Sequence, residues 1–226
     1  MEEKNIPINY NCAAFMKNEF LWNLKSFQET FSNYTGEVEI ITSNEKNKKS
    51  KIIKINNSGY YREHVENQLK RSKDKIIKFI RNEKYNKKHK VVILTYKFLV
   101  EKNNGQLFGC PAIWFGGKHG MNTFRNYDTM IVFGTFLTSP KAYEEYFEEH
   151  HPDEDIPNFS ETITEDGVKI PADERLQIYY KERYEQDVYD SIHRLRPLTR
   201  DVTIYFFGNN IPEKLKDELS YFEKDL

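Results

Sequence analysis

Four blocks of consecutive, largely apolar residues stand out against a polar chain. They are Val91-Val92-Ile93-Leu94-Thr95, Ala112-Ile113-Trp114-Phe115, Thr129-Met130-Ile131-Val132-Phe133 and Val202-Thr203-Ile204-Tyr205-Phe206-Phe207. Short runs without polar alternation predict strands covered on both faces, as in a parallel sheet. The intervening segments carry helical spacing. Phe20 and Leu21, then Leu24, Phe27 and Phe31 stand at spacings of three or four residues and predict a helix over Phe15 to Asn33. Tyr60 to Arg81 is expected to form a long basic helix, with Ser58 of the Asn57-Ser58-Gly59 turn as its cap; a short helix should start at Lys97, and another should cover Ala172 to Leu195. Weaker strand signals lie at Ile6 to Tyr10, Glu37 to Thr42 and Lys51 to Ile55. The last alternates only weakly and is expected at a sheet edge, after a polar loop over Ser43 to Ser50. Strands alternating with helices imply βαβ units: an α/β fold with a mostly parallel sheet flanked by helices. Such sheets take ligands at the carboxyl ends of their strands.

Turn dipeptides and acids crowd His150 to Pro171, so a surface insertion is expected there, within an acidic stretch spanning 138–172. No internal repeat and no second-domain boundary is visible, so residues 1–226 read as one domain. Of its 226 residues 38% are hydrophobic and 15% aromatic, enough for a core rich in Phe and Tyr. The net charge of −1 hides a strong asymmetry. Residues 45–90 hold sixteen Lys or Arg against five acids, net +11; residues 141–190 hold five against sixteen, net −11. A uniformly basic coat is excluded, but the amino-terminal half could follow a nucleic-acid backbone or simply be a solvated helix face. Cys12 and Cys110 are far apart in apolar surroundings and read as reduced thiols. No stretch approaches the roughly 20 apolar residues of a membrane span, and Met1-Glu2-Glu3-Lys4 lacks the start of a secretory leader. A cytoplasmic protein without a membrane partner is the expectation.

The chain has no Gly-x-x-x-x-Gly-Lys-[Ser/Thr] loop, no Gly-x-Gly-x-x-Gly and no acidic magnesium box. Alone it should not hold ATP and magnesium in the usual way. Its nearest glycine cluster is Gly116-Gly117-Lys118-His119-Gly120, followed by Met121-Asn122 and, after an acidic turn at Asp128, by the strand ending at Gly134. Small residues there let backbone approach a ligand closely. Further on, Asp190-Ser191-Ile192-His193-Arg194-Leu195-Arg196-Pro197 sets two arginines at a helix end just before a strand. The His150-His151-Pro152-Asp153-Glu154-Asp155 run reads as a solvated acidic loop rather than a metal site. Asp190, Ser191 and His193 are too close in sequence to act as a hydrolase triad.

Three of these blocks, in order, resemble the second RecA-like domain of superfamily 2 helicases, especially those of plasmids, phages and archaea and the XPD/DinG type. Val91 to Lys97 is similar to the fourth helicase motif, Gly120-Met121-Asn122 with Asp128 to Gly134 to the fifth, and Asp190 to Pro197 to the sixth. Tyr10-Asn11-Cys12-Ala13-Ala14 sits where a third motif would close a first motor domain, which makes residues 1–35 a candidate end of that domain or linker from it. Asp190 stands where the sixth motif has Gln, His193 where it has Gly, and Arg196 comes one residue early. The resemblance implies a P-loop NTPase fold lacking the P-loop: the carboxyl-terminal half of an ATP-dependent helicase, with ATP and Mg2+ held mainly by a Walker A partner domain. It implies Arg194 as arginine finger with Arg196 assisting, and Gly120, Asn122 and Asp190 near the nucleotide. Thr95, Tyr96, Lys97 and Lys118 would lie along the nucleic acid, DNA in preference to RNA. The alternative is a non-enzymatic, degenerate helicase-like module that binds nucleic acid or a replication partner.

Overall fold

A computed structural model describes residues 45–56, 62, 64–117, 123–134, 144, 147–148, 153–155, 157–158, 160–165, 168–208 and 211–225. The expected elements Ile6 to Tyr10, Phe15 to Asn33 and Glu37 to Thr42, the Ser58 cap and the third-motif stretch lie outside them.

The apolar blocks form the centre of a seven-stranded sheet among the described residues. Its strands are β1 (Asn47–Asn56), β2 (Val91–Thr95), β3 (Gln106–Leu107), β4 (Cys110–Trp114), β5 (Thr129–Phe133), β8 (Thr203–Phe207) and β9 (Leu219–Asp225), in the spatial order β3-β4-β2-β5-β8-β1-β9. All neighbours run parallel except the β3–β4 hairpin. Every residue of β2 and β5 is buried, because helices cover both faces. On one face lie α1 (Val65–Arg71), α2 (Lys73–Arg81) and α3 (Lys97–Lys102), packed on Ile93, Ile131, Phe133, Tyr205 and Phe207. On the other lie α4 (Glu174–His193) and α5 (Glu213–Glu218), packed on Val92, Leu94, Met130, Val132, Ile204 and Phe206. Each fully buried aliphatic chain in these layers contributes about 1.5–3 kcal/mol. Winding reverses between β2 and β5: α3 leads from β2 outward to β4, whereas α4 leads from β5 to β8 in the opposite direction on the opposite face.

The α4 helix follows directly from its sequence. Asp173 caps it, accepting from Arg175 N at 2.9 Å. Leu176, Tyr180, Tyr184, Val188 and Ile192 recur every four residues and are all buried.

Three expectations need correction. The strand at Lys51 to Ile55 is not at the edge: β1 lies between β8 and β9 and begins at Asn47, inside the expected loop. Its weak alternation arises because Ile52 and Ile55 enter opposite cores while Lys51 and Lys54 carry their charges outward. The helix expected over Tyr60 to Arg81 is divided. Ser72, at φ −97° and ψ 6°, ends α1 and starts α2, and a π turn over Asn82–Asn86 follows. The segment expected as a surface insertion is partly packed. The antiparallel hairpin β6 (Thr162–Glu165) and β7 (Val168–Pro171) brings Ile170, with Phe147, onto Leu176, Tyr179 and Tyr180 of α4. Among the described residues no helix is long and apolar enough to cross a membrane. Cys110 is a buried free thiol, pushed up in pKa by burial.

Candidate functional site

The sequence candidates divide between the two edges of the sheet. At the carboxyl edge, β2 ends in Thr95 and Tyr96, β5 in Gly134 and β8 in Gly208. This is the crevice where the winding reverses, the usual ligand position in such sheets. Thr95 is fully buried, and its hydroxyl has no hydrogen-bond partner among the described residues. Tyr96 is 8% exposed. Gly134, at φ +118°, lets that ring close over it: a Cβ there would come within 2.6 Å of the Tyr96 ring. Gly208 lies against Gly134 O in turn, at 2.5 Å from where its own Cβ would be. Tyr96 and Phe98 rings stack at 6.0 Å. Of the four residues expected along a strand of nucleic acid, Thr95, Tyr96 and Lys97 are described, and of these only Lys97 presents its side chain at the surface, 3.7 Å from Glu101. Gly134→Ala is expected to destabilise the chain by about 2 kcal/mol, since it adds both backbone strain and an overlap with Tyr96; a chemical-denaturation midpoint measures this.

The amino edge holds the two arginines. Arg194 caps the carboxyl end of α4, and the chain then turns into β8. The turn is pinned from a distance. Asn47 Nδ2 donates to Pro197 O at 2.9 Å and Arg200 O at 3.0 Å. Ser50 Oγ, fully buried, lies 2.8 Å and 2.7 Å from the same two carbonyls and accepts from Val202 N at 3.1 Å. Arg200 reaches across to β5: its guanidinium pairs with Asp128 at 3.1 Å and donates to Tyr127 O and Arg125 O. Asp128 also accepts from Lys90 N at 2.9 Å. Behind the turn, Tyr189 OH donates to Glu218 at 2.7 Å, and His193 Nε2 lies 3.2 Å from the same carboxylate. Burial pushes the Glu218 carboxyl up, but these hydrogen bonds outweigh it and hold it below its ordinary value. Together these contacts fix the end of α4 to β1, β5 and α5.

Within that frame Arg194 is half-buried. Among the described residues no carboxylate lies within ion-pair distance of it. Its burial lowers its pKa, and Asp190 and Asp187 oppose this electrostatically from farther off. It stays charged, because a guanidinium cannot be deprotonated in a protein. Asp190 accepts from Gln186 Nε2 at 3.2 Å. Asp187, 3% exposed, approaches Gly116: a Cβ on that glycine, at φ +68°, would be 3.7 Å from the carboxylate. The start of the glycine segment is thus beside α4, one to two turns before Arg194. Lys118, Gly120 and Asn122 lie outside the described residues. Arg196 is exposed and holds φ +60°, while its carbonyl accepts from Thr199 N and Arg200 N at 3.1 and 3.0 Å.

Comparison with family models, curated proteins and solved structures finds no match to this chain. Its chemistry is therefore read from its own residues. The arrangement offers electrostatic stabilisation of an anion by a rigidly mounted, partly desolvated guanidinium. Among the described residues no group of three or more His, Cys, Asp or Glu is placed to hold a metal ion. Sequence reading missed Asp187, Arg200, Asn47 and Ser50. The Asp128–Arg200 pair carried a weak signal, an acid and a base each just before an apolar run.

Proposed function

We propose that this chain is the second, RecA-like motor domain of an ATP-dependent DNA helicase, which acts only with a partner domain that carries the phosphate loop. The observation supporting this most is Arg194: a half-buried guanidinium with no ion pair among the described residues, fixed at the end of α4. An unpaired, partly desolvated charge is unfavourable in the isolated chain, and such groups gather at sites where a counter-charge arrives from outside. ATP with Mg2+ on the partner would supply that charge and the phosphoryl group to be transferred. Arg194 would lie against the terminal phosphate, and Lys97, just beyond β2, would follow the strand. Contacts of this kind position a nucleic acid without reading its sequence.

Arg196 fits a supporting role. A non-glycine residue at φ +60° before a proline is strained, and strain of this kind clusters at functional turns. Arg196→Gly is accordingly expected to raise stability by about 1 kcal/mol and to lower the turnover of the complete motor, by thermal melting and ATPase assay. A second reading, a degenerate module without ATP chemistry, is favoured by Asp190, which stands at the position of an expected glutamine and is engaged by Gln186 of its own helix.

One experiment separates the two. The isolated chain should show background ATPase. Mixing it with a candidate partner domain that carries the phosphate loop should give turnover stimulated by single-stranded DNA. No turnover in the mixture, with the partner folded and binding ATP, would favour the degenerate module.

A further inference from the structure

The face of the sheet opposite Arg194 carries a second feature. Lys75, Lys78, Arg81 and Tyr85 recur at spacings of three, three and four along α2 and the π turn, which places them on one side. All four are exposed, Tyr85 to 72%. Residues 65–90 hold ten Lys or Arg against three acids, net +7, and the acids do not neutralise the stripe. Glu66 pairs with Lys102 at 2.8 Å. Glu83 is turned into the core, where Lys87, His89 and Tyr205 surround it. Asp74 alone is exposed on α2, and among the described residues no carboxylate lies within ion-pair distance of Lys75, Lys78 or Arg81.

We propose that this stripe is a binding surface for single-stranded nucleic acid, separate from the motor cleft. Charge complementarity names a polyanion. The exposed ring names one with unpaired bases, because a phenol ring standing in water amid lysines can stack on a base that is not already paired. The surface lies on the side of the sheet away from α4, so a strand held here would remain attached while the cleft opens. The inference does not depend on Arg194. It would hold equally for a non-enzymatic module.

The test titrates a fluorescent single-stranded oligonucleotide against the full chain at about 50 mM and about 200 mM salt. The triple variant Lys75→Glu, Lys78→Glu, Arg81→Glu should weaken binding at least tenfold. It should also reduce the slope of log affinity against log salt by about 2, since roughly 0.7 counterion is released per single-strand phosphate contact. Tyr85→Ala should weaken single-strand binding about tenfold and leave duplex binding unchanged. Being a surface change, it decides the matter even if the triple variant misfolds. Unchanged affinity in Tyr85→Ala and in Lys78→Ala would overturn the proposal. So would unchanged affinity combined with lost self-association, which would make the occupant the acidic stretch of a second copy. Failure here leaves the Arg194 reading intact, because that is read in ATP turnover with the partner domain.

Discussion

Arg194→Ala is expected to reduce ATP turnover of the reconstituted motor by about 10³-fold or more, the range over which an arginine finger acts. The loss should fall on kcat with KM little changed, because the guanidinium is set to meet charge that develops on the transferring phosphate rather than to hold the nucleotide. The same substitution should leave the thermal stability of the isolated chain unchanged or slightly raise it. Arg194 makes no ion pair among the described residues, and its burial lowers its pKa. Removing it takes away a partly desolvated charge and exposes no abandoned partner. A structural arginine would behave in the opposite way. Arg200 holds Asp128 and two carbonyls of the preceding turn, and Arg200→Ala should cost stability first. Arg194→Lys should restore only part of the turnover, because an ammonium keeps the charge but loses the planar fork. Steady-state ATPase of the pair and melting of the single chain measure the two effects together. Full activity in Arg194→Ala, or a large fall in melting temperature without loss of activity, would remove the arginine from the mechanism.

The parts of the fold legible in the sequence were those set by local composition. β2 and β5 are apolar throughout because both faces are covered, and their limits agree with the expected runs. α4 was expected over Ala172 to Leu195 and is observed over Glu174–His193. What escaped was set by partners distant in sequence. β1 looked like an edge because its lysines alternate with isoleucines; only the arrival of β9 makes it internal, and the exposed Glu223, Lys224 and Asp225 of β9 carry no strand signal. The candidate site divides the same way. Arg194 and Arg196 were visible as charges beside a strand, and the structure puts both on the turn into β8. The groups that hold that turn, Asn47 and Ser50, act across about 150 residues, and no local pattern announces them. The resemblance set Thr95 and Tyr96 along the nucleic acid, yet both side chains are buried, with Gly134 leaving room for the Tyr96 ring.

The largest stability effect should come from Glu83, an acid just beyond the basic helix expected over Tyr60 to Arg81. The π turn directs it inward to 1% exposure. There its carboxylate accepts from Lys87 at 2.7 Å and Tyr205 OH at 3.0 Å, and lies 3.1 Å from His89 Nδ1 and 3.5 Å from Thr129 Oγ1. Burial alone would push the Lys87 ammonium down, but the hydrogen bond to Glu83, together with the charges of Tyr205 and Glu83 and the Tyr205 hydrogen bond, outweighs it and holds Lys87 above its ordinary value. Glu83→Ala would leave a half-desolvated cation, a buried phenol and a buried hydroxyl without their common acceptor. The expected loss is about 3–5 kcal/mol, or on the order of 10 °C in melting temperature for a chain of this size. Tyr205→Phe should cost only about 1 kcal/mol, because the carboxylate keeps its other donors. Lys87→Met should cost less still, since that side chain is 44% exposed and solvent screens the pair. This ordering, acceptor far above any single donor, is the signature of one carboxylate satisfying several elements at once. Equal losses for Glu83→Ala and Tyr205→Phe would mean that the π turn is held by packing alone. Calorimetry of the three variants at neutral pH, with α2 helicity followed by circular dichroism, distinguishes the cases. Tyr85 lies within this turn, so loosening it in Glu83→Ala should also weaken single-strand binding through a displaced Tyr85, although Glu83 itself touches no nucleic acid in that proposal.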